Sequence, residues 1–400
     1  MSRGAVMEKK DNGGYEYEFL ANVPRNHVDE EIRRTVLLTW DTMAMPLDGM
    51  GAFREITAQI GGILKDPAID IRRKAILVMC ADNGIVEEGV SQSGQEVTRI
   101  VAEGMGRGQS TVCLMARQIG ADVIPVDVGI AKETEAAGCR TEWTGGRVIA
   151  DTPVNRREEI AADGKNQIPG VISRTIRPGS RNFLKEPAMT RQETEQAIRT
   201  GIELVGSCRR RGYRLIGTGE MGIGNTTTSS AVAAALLGED AAKMTGRGAG
   251  LSGAGLRKKC SVIDAAIKKY DLYEQDPLTI LECAGGYDLA ALAGVCIGGC
   301  VHRIPVVLDG VISMSAALAA VRLMPEVKSF LIPSHRSREP AAARLAEELS
   351  LCPVIEGRMA LGEGTGAVMM MALLDLACSV YGGMRTFSDA GMDPYQRHDG

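Results

Sequence analysis

Short apolar runs recur along the chain, each followed by a polar or glycine-rich junction and then by a helical stretch. The runs are KAILVMC (74–80), ADVIPVDVG (121–129), RLIGTG (214–219), RIPVVLDG (303–310) and SFLIPSH (329–335). Between them lie Ala- and Leu-rich stretches at about 98–118, 188–211, 226–237, 253–270, 287–300, 312–323, 339–350 and 365–381. Nearly continuous apolar strands alternating with helices predict an α/β fold, a parallel sheet with helices on both faces. Upstream, 27–65 reads as helical through Val36, Leu37, Leu38, Trp40, Ile56, Ile60 and Leu64. Two segments break the pattern. Residues 1–20 read as a loosely attached start, and 131–180 as a polar, Gly-rich surface excursion.

The strand ends carry the chemistry-bearing residues: Asp82 and Asn83, Asp127 and Gly129, Glu220, Asp309, then Ser334 and His335. A single Asp after a strand is usually only a helix cap. Polar junctions after every strand of one sheet point instead to a ligand crevice, because open α/β sheets bind ligands outside the carboxyl ends of their strands.

Composition narrows the partner. A net charge of −4 and aromatics at only 4% argue against nucleic acid, which rewards basic patches and stacking platforms. The most apolar tract read this way, Leu289 to Val301, is too short to span a bilayer. The N-terminus lacks the apolar core of a signal peptide. Ten scattered cysteines without a CxxC, and four histidines, predict free thiols in a reducing cytoplasm and no zinc site.

Four stretches could hold a site. GTGEMGIGNTTTSS (217–230) runs glycines into a helix start, where free N–H groups and the helix dipole favour phosphate. Gly222, Gly224, Asn225 and Thr226 lie there. The same stretch matches GxGxxG after a strand, so dinucleotide binding by a dehydrogenase is a rival, although Glu239 and Asp240 follow a helical run and not a strand. MTGRGAGLSGAGLRKK (244–259) sets Gly248 and Lys259 in a second glycine-rich, basic turn. IPSHRSREP (332–340) supplies Ser334, His335 and Ser337. In MALGEGTGAVMMMALL (359–374), Glu363 is a lone charge between glycines ahead of an apolar helix. Partial desolvation there would raise its pKa, as a general base near neutral pH requires. An exposed, helix-capping Glu would leave the same pattern.

Together with MCADNGIVEEGV, VDVGI, RNFLKEPAMT, GGYDLAALAGVCIGG and PVVLDG, these stretches resemble the nicotinate-nucleotide–dimethylbenzimidazole phosphoribosyltransferase family. The resemblance covers about residues 70–130 and 180–380. It implies a Rossmann-like sheet domain (66–365) and a small helical domain from both chain ends (1–65 and 366–400), in a homodimer. It implies transfer of phosphoribosyl from nicotinate mononucleotide to a benzimidazole nitrogen, without metal or other cofactor. It places the general base on Glu363 and a second catalytic carboxylate on Glu220. Phosphoribosyl contacts are expected from Gly222, Gly224, Asn225, Thr226, Gly248, Lys259, Ser334, Ser337 and Asp309, with Asp288 a further polar pocket residue. The base is expected near Ser93, Val101, Asp82 and Leu361. The sequence departs from the family pattern at PLDGMG (46–51), at Val101, where a Gln is usual, and in the length of 131–180. The first two touch the base side, so the accepted base stays open. A non-catalytic or partner-dependent subunit of a heteromeric enzyme is the alternative they leave.

Overall fold

The computed structural model describes residues 17–131 and 170–397. The rest, including 132–169 of the excursion and 1–16 of the N-terminal start, lies outside the described residues. The strands are β1 (Lys74–Ala81), β2 (Asp122–Gly129), β3 (Ile172–Ser173), β4 (Leu215–Met221), β5 (Val306–Leu308) and β6 (Leu331–Pro333). They form one sheet in the order β3-β2-β1-β4-β5-β6, parallel throughout. The helices are α1 (Glu30–Thr42), α2 (Ala52–Leu64), α3 (Glu96–Gly106), α4 (Thr111–Gln118), α5 (Arg191–Arg210), α6 (Asn225–Leu237) and α7 (Ala241–Met244). They continue with α8 (Gly253–Tyr270), α9 (Pro277–Ala284), α10 (Tyr287–His302), α11 (Val311–Leu323), α12 (Ala341–Leu349) and α13 (Thr365–Gly383).

Strand β1 shows why the sheet needs helices on both sides. All eight of its residues are buried, and they alternate between two cores. Ala75, Leu77, Met79 and Ala81 pack into a cluster with residues of α5, α6, α10 and α11. Ile76, Val78 and Cys80 pack into a second cluster with residues of α1, α2, α4 and α13. The period of two along a strand produces this division.

Several expectations are corrected. The sheet has six strands among the described residues; β3 falls inside the stretch read as an excursion. Residues 17–20 are not loose, because Tyr17, Phe19 and Leu20 are buried in the first core. The helix expected at 98–118 is two, broken at Arg107–Ser110, where Gly108 takes a positive φ and Ser110 caps α4. The helical stretch at 27–65 is likewise α1 and α2, and α9 was not anticipated. Strand β5 covers only three residues of the run at 303–310. Helix α13 is long and apolar enough to cross a bilayer by composition. Ala367, Val368, Met370, Met371 and Leu374 instead bury its inner face against the sheet.

Candidate active site

Above the carboxyl ends of β4, β5 and β6 lies a cavity of about 190 Å³. Three helices point their N-termini at it. Asn225 and Thr226 open α6, Val311, Ile312 and Ser313 open α11 behind Gly310, and Thr365 opens α13. First-turn N–H groups lack intrahelical partners, and each helix presents the positive end of its dipole, although at α13 the Asp309 carboxylate already accepts from Gly364 N and Gly366 N, which leaves α6 and α11 to offer free donors. The cavity therefore suits an anion, phosphate above all.

Two glutamates face this positive lining. Glu220, near the end of β4, is buried, and its Oε2 accepts a hydrogen bond from Asn225 Nδ2. Burial, reinforced by the charges of Asp309 and Asp288, pushes its pKa up to about 8. Glu363 sits in the turn before α13, and Gly362, Glu363 and Gly364 all take positive φ (85°, 63° and 94°). Gly364 has no room for a side chain: a Cβ would lie 2.5 Å from Ile76 Cγ2. The tight turn sets Glu363 over β4, and its Oε2 accepts from the Val112 N–H of α4 at 3.5 Å. Desolvation raises the Glu363 pKa above 4.5, and Asp309 adds to the rise, while Val112 N–H opposes it.

Behind the glutamates is a buried polar layer. Asp309 follows β5, and its two carboxylate oxygens accept from Gly366 N at 2.7 Å and Gly364 N at 3.1 Å. Ser334 Oγ donates to the Asp309 carbonyl at 3.1 Å and lies 3.0 Å from His335 Nδ1. Burial holds His335 below its usual pKa, against the pull of Asp309. Asp288 accepts from Leu289 N at 2.9 Å and Asn83 Nδ2 at 3.4 Å, and burial raises it to about 6. Lys259 of α8 is buried and donates to Thr226 Oγ1 at 2.8 Å and to the Gly246 carbonyl at 3.4 Å. Burial lowers it to about 8. Its charge reaches the cavity wall through Thr226.

Of the residues anticipated from sequence, Glu363, Glu220, Gly222, Asn225, Thr226, Gly248, Ser337, Asp309 and Leu361 line this one cavity. Others do not. Gly224 turns the chain into α6, and Lys259 and Ser334 lie behind the wall. Ser93 lies in the loop before α3, its N–H donating to Ser91 Oγ at 3.2 Å. Val101, on α3, packs half-buried against the second core. Asp82 is fully buried; its Oδ2 accepts from Ala131 N at 2.7 Å, and desolvation raises its pKa to about 6. The residues missed include Gly310 to Ser313, Glu339, Met221, Ile223 and Thr365. LDGVISMS repeats the strand–glycine–helix pattern of EMGIGNTTTSS, but its apolar side chains hid a contribution made by backbone N–H groups.

The dinucleotide rival loses its footing in the geometry. Gly217 and Gly219 lie inside β4, not in a loop after it. A Cβ on Gly217 would come 2.4 Å from Ile76 Cδ1, and one on Gly219 would come 2.6 Å from the Glu363 carbonyl oxygen. These glycines serve packing of the sheet against the Glu363 turn. Among the described residues, no group of three or more His, Cys, Asp or Glu is arranged to hold a metal ion.

A family profile described as Phosphoribosyltransferase matches residues 26–392. The nicotinate-nucleotide–dimethylbenzimidazole phosphoribosyltransferase of Ruminiclostridium cellulolyticum is 40% identical over 356 residues, 89% of this chain and 92% of the relative. The protein of the same name from Acetivibrio thermocellus is 39% identical with the same coverage. The crystal structure of CobT from Thermus thermophilus superposes with a TM-score of 0.78 at 32% identity, covering 91% of this chain and 99% of that one.

Proposed function

The chain belongs to the nicotinate-nucleotide–dimethylbenzimidazole phosphoribosyltransferase family, and we propose that it moves phosphoribosyl from nicotinate mononucleotide to a lower-ligand base such as 5,6-dimethylbenzimidazole. The products are an α-ribazole 5′-phosphate and nicotinate, and the reaction serves the nucleotide loop of cobalamin. The observation that carries this reading is one cavity in which two desolvated carboxylates face three helix N-termini.

The N-termini of α6 and α11 hold the 5′-phosphate, with Thr226 backed by Lys259. One ring nitrogen of the incoming base attacks C1′ with its lone pair. The bond from C1′ to the pyridinium nitrogen breaks, and its electrons neutralise that nitrogen as nicotinate leaves. The second ring nitrogen of the base then carries a surplus proton, which passes to Glu363. General-base help of this kind contributes roughly 10²–10⁴-fold. Glu220, kept largely neutral at pH 7 by burial and its acidic neighbours, donates a hydrogen bond to the ribose. Positioning between fixed dipoles supplies the rest. Met221, Ile223 and Leu361 make the apolar wall on which the flat base rests.

The enzyme works in the cytoplasm as a homodimer in this reading. Unpaired cysteines among the described residues support the first. The outer side of α13 supports the second: Met369 and Leu376 are 41% and 65% exposed. The purified protein alone, given nicotinate mononucleotide and a panel of benzimidazoles, adenine and phenols, should release nicotinate in a base-dependent way. No release with any base would overturn the proposal.

A further inference from the structure

We propose that Asp309 is a positioning residue for Glu363, its side chain capping α13 from a neighbouring strand and fixing the turn that carries the base. The inference rests on the reading of Glu363 as general base.

Helix α13 begins without a cap of its own. Its N-cap position is Gly364, which has no side chain to accept the free N–H groups of the first turn. Those groups are met from the residue that directly follows β5. Asp309 Oδ2 accepts from Gly364 N and Oδ1 from Gly366 N, so one carboxylate spans the start of the helix directly after Glu363. Asp309 is itself braced through its backbone on two sides, and the helix start it caps is closed on a third. Its N–H donates to Thr218 Oγ1 at 3.0 Å, its carbonyl accepts from Ser334 Oγ, and the His335 ring closes over Gly366, where an added Cβ would lie 2.0 Å from Nδ1.

The turn it pins has three successive left-handed residues, one of them Glu363, a conformation that persists only when its surroundings dictate it. Both Asp309 oxygens are engaged by backbone N–H groups. The carboxylate lines the cavity, yet its hydrogen-bonding capacity is directed at the turn. This differs from the phosphoribosyl contact that the family resemblance implies for Asp309.

Asparagine at 309 can satisfy only one of the two N–H groups; its amide would face the other donor to donor. A double-mutant cycle separates action through Glu363 from direct action on substrate. Wild type, Asp309→Asn, Glu363→Gln and the double variant are assayed with nicotinate mononucleotide and 5,6-dimethylbenzimidazole. Asp309→Asn should lower kcat about 10–100-fold, as misplacement of a catalytic group does, while KM for nicotinate mononucleotide changes less than about threefold. In the Glu363→Gln background the same substitution should cost less than about threefold more. Multiplied losses, or a rise in KM matching the fall in kcat, would overturn the assignment. Wild-type turnover by Glu363→Gln would instead sink the general-base reading. Should Asp309→Asn fail to fold, Ser334→Ala, which removes the brace on the Asp309 carbonyl, goes through the same cycle. It should show the same non-additivity with a loss of about three- to tenfold, and additive losses would again count against the assignment.

Discussion

Burial acts on the two glutamates to different degrees. Glu220 is buried and feels the charges of Asp309 and Asp288, so ionising it inside the fold is costly and its pKa climbs to about 8. Glu363 keeps a helix N–H and partial exposure, so it ionises more readily. The first has a consequence for stability. A carboxyl whose folded pKa lies above its unfolded value stabilises the fold at pH below the unfolded value, and the benefit fades as pH rises toward the folded one. Glu220→Gln removes that loss while keeping an acceptor for Asn225. Its Tm should therefore gain on that of wild type between about pH 5 and about pH 8, as scanning calorimetry would show. A gap independent of pH would mean that Glu220 is not held neutral. Glu363 was legible in the sequence as a lone charge between glycines ahead of an apolar helix, and Glu220 as the polar end of a strand to which the family resemblance gave a role. Asp288 was read there only as a further pocket residue, since its side-chain partner Asn83 lies 205 residues away in the chain.

At the scale of elements, the candidate site is a set of strand–glycine–helix junctions, and in the proposed reading the starts of α6 and α11 do the binding. The Gly362–Gly364 turn is the tightest. Gly364→Ala would place a methyl against Ile76 in a left-handed conformation. A cost of about 2–4 kcal/mol is expected from backbone strain and overpacking, measured as a lower denaturation midpoint together with reduced kcat. An unchanged midpoint would show the turn to be pliable. Most helices could be read from periodicity. Helix α9 could not: Asp276 and Pro277 give a proper start, with Asp276 accepting from Leu278 N and Thr279 N, but eight residues are too few for a convincing period. Strand β3, two residues long, has no period at all.

At the scale of the molecule, the parallel sheet and its two cores were legible because the longest runs, above all β1, are apolar on both faces. The outer face of α13 was not, since an apolar helix reads the same whether its far side is covered or bare. Leu376→Glu on that face should convert the proposed dimer to a monomer in analytical ultracentrifugation; a wild-type monomer would refute the dimer outright. Sheet and helices together serve one arrangement: α13 packs on β4 and β5, and its entrance sets Glu363 in one cavity with Glu220 and the starts of α6 and α11. Single-turnover kinetics of wild type and Glu363→Gln across pH, with nicotinate mononucleotide and 5,6-dimethylbenzimidazole saturating, test that arrangement most directly. In wild type the rate should fall on the acid side with a midpoint above 4.5, the ordinary value that burial raises at Glu363. The variant should lose that limb and drop roughly 10²–10⁴-fold. A variant that keeps both the rate and the acid limb would contradict the account.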